Sequence, residues 1–224
     1  METVEYAPGR LADTYGEISS RRVLLWHGAQ TNARATVRLL AEMLACRGAN
    51  VIVPDWNSHS SDGGRADLLN SIDFARGPTA HPDGLVLVGW SLGGAAAAGL
   101  SLHPQRFGVA LVHTVCIAGA FMAREPITGG QPLAQVPNDG AGVSFTLLHG
   151  VKDDVVPVTI SQSFASRLRE VGWPVEVIEV DADHGAIAGA TYDPISDRYA
   201  SAQDTETRAV ASDVAARIAS VLAC

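Results

Sequence analysis

Lysine is nearly missing from this 224-residue chain: Lys152 is the single one among 16 basic residues. Against 24 acidic residues and a formal charge of −8, no basic stripe or lysine cluster exists. That excludes nucleic acid and an anionic membrane surface as expected partners. Cysteine is scarce and odd in number, and Cys46, Cys116 and Cys224 show no metal-binding spacing. They read as reduced thiols of a cytoplasmic protein, Cys116 as a small core residue. No apolar run approaches a membrane span, and residues 1–10 lack the apolar core of a signal peptide. Repeats and low-complexity tracts are missing too. What remains is the composition of an ordinary globular protein, 47 % hydrophobic and 18 % charged, with a length that suits one domain over 1–224.

Short apolar runs alternate with helical patterns along the chain. Strands are expected at Arg22 to Trp26, Val51 to Val53, Leu85 to Val88, Val109 to Ile117, Val143 to Leu148 and Val175 to Val180. Helices are expected at Ala33 to Arg47, Arg65 to Ala75, Gly94 to about His103, Pro157 to Val171 and Thr205 to Leu222. The last carries Val210, Val214, Ile218 and Leu222 on one stripe. Continuously apolar strands separated by helices imply a mainly parallel sheet of about six strands covered on both faces, an α/β architecture. Residues 3–6 are expected to run extended beside it. Two stretches have no clear period. One is 118–142, rich in Gly and Pro, a possible short lid loop; the other is 186–202.

The most informative segment is Gly89-Trp90-Ser91-Leu92-Gly93, at the end of one apolar strand and the start of an alanine-rich helix. A strand that turns sharply into a helix at a serine lifts that hydroxyl above the sheet edge. Glycines on either side leave room for the strained turn. Nucleophilic catalysis also needs a base, a group that orients it and donors for an oxyanion. After the fifth strand, Lys152-Asp153-Asp154 puts carboxylates past a strand's carboxyl end; after the sixth, Asp183-His184-Gly185 puts an imidazole there. Chemistry in open α/β sheets gathers at those ends, and the order serine, carboxylate, histidine suits the turn.

Together with Gly150-x-x-Asp153-x-x-Val156-Pro157, these segments resemble those of α/β-hydrolases, in the small group near dienelactone hydrolases and compact carboxylesterases. The likeness runs from Val23 to the C-terminus. It implies Ser91 as nucleophile, His184 as general base and then acid, and Asp153 as the carboxylate that orients His184. Asp154 is the rival carboxylate, better suited to capping the following helix. The resemblance implies an oxyanion hole from the backbone N–H of Leu92 and of Ala29, in the loop His27-Gly28-Ala29-Gln30, with Gln30 as the alternative. Ser91 stands where dienelactone hydrolases have cysteine, so a lactone substrate is not implied. The usual first two strands are expected to be missing, and about 25 residues at 118–142 leave no room for a large cap domain.

Trp56, Phe121 and Met122, in loops at strand ends, are the expected substrate contacts. Trp90 is expected to pack beneath the serine turn. Of the histidines, His27 and His149 are expected to bond loop backbone and shape the cleft, and His113 to sit in the core. His103 and His81 are expected on the surface, and His59 to order its loop or touch substrate. No metal or organic cofactor is required. The implied function is hydrolysis of a small-molecule carboxylic ester through an acyl-enzyme, by a monomer or homodimer. Thioesterase or acyl transferase chemistry uses the same residues, and a ligand-binding pseudo-enzyme on the same fold is the reading from another class.

Overall fold

A computed structural model describes residues 1–18, 20–77, 84–138 and 142–222. His81 and Cys224 lie outside the described residues. Eight strands form one sheet: β1 (Glu2–Ala7), β2 (Arg10–Tyr15), β3 (Arg21–Trp26), β4 (Ala49–Pro54), β5 (Leu85–Trp90), β6 (Leu111–Ile117), β7 (Ser144–Gly150) and β8 (Val175–Val180). Their order is β1-β2-β4-β3-β5-β6-β7-β8. From β4 to β8 every pairing is parallel, while β1 runs antiparallel to β2 and β2 antiparallel to β4.

Two of these strands correct the expectation of six. β1 contains residues 3–6, expected to run extended beside the sheet, while β2 mixes polar with apolar residues, so a search for continuous apolar runs passes over it. The two form a hairpin at the sheet edge, where the first two strands were expected to be missing. Only Tyr6, Ala12, Asp13 and Tyr15 are buried there. Tyr6 Oη donates to the Asp55 carbonyl at 2.5 Å, tying the hairpin to the end of β4.

Alternation along the strands supplies two apolar faces. Leu24, Trp26, Leu87, Phe145 and Leu147 face the layer of α2 (Arg65–Arg76), α3 (Leu92–Leu102) and α4 (Val158–Glu170). Val23, Leu25, Val86, Val88 and Ile117 face α1 (Arg38–Ala45) and α5 (Thr205–Leu222). In α1 the buried stripe is Leu39, Leu40, Ala41 and Leu44; in α5 it is Ala211, Val214, Ala215 and Ile218. The expected first helix is divided: Arg34–Val37 is a 3₁₀ turn that leads into α1. Helix α3 is buried from Gly93 to Leu102, and its small side chains let it lie close to β5 and β6.

Both aperiodic stretches have structure. Within 186–202, β9 (Ala190–Asp193) and β10 (Arg198–Ser201) pair as an antiparallel hairpin apart from the main sheet. The described part of 118–142 is anchored at several points. Phe121 is fully buried and stacks on Phe164 of α4, with ring centroids 4.2 Å apart. The buried Glu125 carboxylate accepts from Ile127 N at 2.5 Å and Thr128 N at 2.8 Å. Phe121→Ala should therefore cost about 3–5 kcal/mol of folding stability, read by urea denaturation. Because Phe121 and Phe164 share one contact, the double alanine variant should lose less than the sum of the two single losses.

Candidate active site

Parallel strands bring the loops after β3, β4, β5, β6, β7 and β8 to one edge. At its centre Ser91 joins β5 to α3 with φ 55° and ψ −118°. A non-glycine residue in such backbone carries strain of about 1–3 kcal/mol, so its surroundings must hold it. Ser91 N donates to Ile117 O at 2.9 Å, and Ser91 O accepts from Ala95 N at 3.0 Å and Ala120 N at 3.2 Å. A Cβ at Gly89 would overlap the Gly93 carbonyl, and one at Gly93 would overlap the His27 carbonyl. The turn is thus as crowded as its glycines predict.

The loop after β3 lies directly against it. A Cβ built on Gly28 would stand 3.4 Å from Ser91 Cβ and 3.3 Å from the Trp90 ring. Ala29 and Leu92, the expected oxyanion donors, therefore belong to the two segments that meet at Ser91. Leu92 opens α3, where the first N–H groups have no intrahelical acceptor. Gln30 has other work in its side chain, which bonds the main chain of Tyr199 through both N–H and C=O.

Asp153 and His184 come together. His184 Nδ1 lies 2.7 Å from Asp153 Oδ2, with the carboxylate fully covered and His184 only 3 % exposed. The other oxygen, Oδ1, accepts from Val155 N at 2.9 Å and Val156 N at 2.8 Å. Burial alone would raise the Asp153 pKa. Hydrogen bonds from His149, His184 and Val156 N outweigh it and hold the group well below the usual carboxylate range. Asp154 is exposed, and α4 has no side-chain cap, so the expected capping role for Asp154 is not realised.

Trp90 links this pair to the serine turn. Its Nε1 donates to the His184 carbonyl at 2.9 Å, and its ring lies 5.3 Å from the imidazole. Among the described residues no hydrogen bond joins Ser91 Oγ to His184. Such bonds often tighten only when substrate is bound. Tyr199 of β10 packs on both Trp90 and His184, at 5.2 and 5.9 Å. Burial and the carboxylates of Asp153, Asp154 and Asp183 push its hydroxyl up to about 12.

Two expected substrate contacts are core residues instead. Trp56 is fully buried; it stacks on His27 at 5.3 Å and donates to the His27 carbonyl at 3.2 Å. Phe121 is buried against Phe164. Large aromatic side chains near a strand end are drawn inward wherever the sheet offers apolar surface. Met122 is 38 % exposed, in the loop after β6. His59 is exposed and bonds Thr31 and Ser58, joining two loops. His113 is half-buried in β6 and bonds Thr146 at 2.9 Å.

Sequence reasoning missed the β9–β10 hairpin. With the loop after β7, it borders a cleft of about 650 Å³ lined by His184, Asp154, Asp183, Thr191, Tyr192 and Tyr199, among others. A signal was present. Tyr192 and Tyr199 flank the turn-forming run Asp193-Pro194-Ile195-Ser196-Asp197. Among the described residues, no group of three or more His, Cys, Asp or Glu side chains could hold a metal ion, and no helix is long and apolar enough to cross a membrane.

These features define a mainly parallel α/β sheet with a strained serine at the β5–α3 turn. Solved structures of esterase 2 from the planctomycete Thermogutta terrifontis share the fold. Its form phosphoramylated by tabun superimposes with a TM-score of 0.74 at 17 % identity, over 97 % of this chain and 92 % of that one. The form phosphonylated by cyclosarin gives 0.70 at 18 %, over 97 % and 94 %. The propionate-bound form gives 0.65 at 19 %, over 83 % and 85 %. No family model and no curated protein sequence matches the chain.

His27 provides a measurable property of the site's frame. Its Nδ1 donates to Gly28 O at 2.8 Å, and Nε2 accepts from Ala33 N at 3.2 Å and Trp56 N at 3.3 Å. Burial lowers its pKa from 6.5 to about 3, only partly opposed by the bond to Gly28. The unfolded chain thus binds one more proton between those values. Stability from this group is complete above about pH 6.5 and drains away as pH falls toward 3. The urea midpoint should fall more steeply on acidification in wild type than in His27→Gln. Equal slopes would remove His27 from the account.

Proposed function

We propose that the protein is a serine esterase that cleaves small carboxylic esters through an acyl-enzyme. The observation that carries this reading is the buried Asp153–His184 pair, 2.7 Å apart and tied through Trp90 to the strained Ser91. With Nδ1 committed to Asp153, the Nε2 atom of His184 is the base left for the Ser91 hydroxyl. Ser91 Oγ attacks the ester carbonyl as its proton passes to His184. The oxyanion forms against the N–H groups of Leu92 and Ala29, each such donor being worth about 2.7–4 kcal/mol. The imidazolium then protonates the departing alcohol, and a water molecule activated by the same ring releases the acid.

The Thermogutta terrifontis enzyme supports this reading. Its structures include forms phosphorylated by paraoxon and phosphonylated by sarin, and forms with propionate or butyrate bound. Short acyl groups and organophosphate sensitivity are accordingly expected here, at a site with no large cap.

A panel of p-nitrophenyl esters of rising acyl length, run on wild type and Ser91→Ala, tests the proposal. Activity should be highest for short chains and fall more than about 1000-fold in the variant. A fluorophosphonate probe should label Ser91. A folded protein whose Ser91 stays unlabelled, and which hydrolyses none of the panel, would instead be a binding protein on this fold.

A further inference from the structure

A second buried histidine faces the Asp153 carboxylate. His149, near the end of β7, is fully buried, and its Nε2 lies 2.8 Å from Val156 O and 3.4 Å from Asp153 Oδ2. On the other side its Nδ1 lies 2.7 Å from Ser161 Oγ, a buried residue of α4. Both groups at Nε2 are pure acceptors: a carbonyl and a carboxylate. In the neutral ring the hydrogen must therefore sit on Nε2, and the Ser161 hydroxyl must donate to Nδ1. The ring thus bonds Ser161 and Val156 O, and its Nε2 also stands 3.4 Å from the Asp153 oxygen that bonds His184.

We infer that His149, held in the Nε2–H tautomer and oriented by Ser161, is a positioning residue that sets both the direction and the basicity of Asp153. The inference rests on the esterase reading, in which Asp153 orients His184. Two backbone N–H groups already pin Oδ1. Oδ2 alone bonds His184, so a shared donor there decides how much negative charge the imidazole meets. The N–H of His149 draws off part of that charge. It keeps His184 from binding its proton too tightly, which a base that must release it to the leaving alcohol requires. The spacing of four residues between His149 and Asp153 follows from the tight loop after β7, where Asp153 N bonds Gly150 O at 3.2 Å.

The test compares wild type with His149→Phe, His149→Gln and Ser161→Ala. Other charged and titratable groups facing His184 stay constant across the set: Asp153 itself, Tyr199, and Lys152, Asp154 and Asp183 around the adjoining cleft. In His149→Phe, which lacks the donor, the acid limb of kcat/KM for p-nitrophenyl acetate should move up by about half a pH unit, with kcat falling and KM little changed. Ser161→Ala, which frees the ring, should shift it the same way by less. His149→Gln, which keeps an N–H near the Nε2 position, should restore the wild-type limb.

Unchanged limbs in all three folded variants, or Gln no better than Phe, would overturn the inference. If His149→Phe does not fold, Ser161→Ala decides alone. The esterase reading fails separately, when wild type is inactive or Ser91→Ala keeps full activity. In that event ring ¹⁵N NMR still decides: an upward displacement of the His184 titration in Ser161→Ala supports the coupling, and no displacement refutes it.

Discussion

Steric crowding where β5 enters α3 governs the layout of the candidate site. Ser91 keeps a backbone conformation that favours glycine, and three neighbours hold it there: the carbonyl of Ile117 and the amides of Ala95 and Ala120. For that, α3 must begin almost in contact with the ends of β3 and β5, which only hydrogen at positions 89 and 93 permits. The small residues of α3 continue the close approach. Gly94 leaves space for Gly119, and Gly99 leaves space for the buried Glu125 carboxylate. The loop after β6 is thereby packed down beside the serine.

Electrostatics then separates the buried polar groups by what each neighbour offers. Asp153 loses its water but gains four polar contacts, so it stays ionised. His27 loses its water and accepts from two amides at Nε2, an arrangement that only a neutral ring satisfies. The two groups are buried alike and shift in the same direction, for opposite reasons: hydrogen bonds favour the charged carboxylate, and desolvation disfavours the charged imidazole. One orients His184; the other fixes the loop that carries Ala29.

Much of this was legible because central parallel strands are buried on both faces and must be apolar throughout. β5 is buried along its whole length and begins where its apolar run begins, and α5 spans its expected residues. Edge elements have no such obligation. β1 and β2 are half polar, and β9 and β10 are four residues each, outside the main sheet, so neither hairpin produces a strong local pattern. Trp56 and Phe121 show the same limit in a single side chain. An aromatic residue at a strand end serves a pocket or a core equally well, and its sequence neighbours do not say which.

The order of residues alone determined the six parallel strands β3 to β8, where a serine meets the strand-to-helix turn, and which carboxylate and imidazole lie past later strand ends. Those features depend on local backbone chemistry and on period, both written in neighbouring letters. The resemblance already favours Asp153 over Asp154; only the tertiary structure decided that Trp90 carries His184 against the serine turn and that the His149 ring faces the same carboxylate. Each of these depends on distances between strands far apart in the chain, set by how the sheet twists and how its helices pack, and no local pattern records such distances.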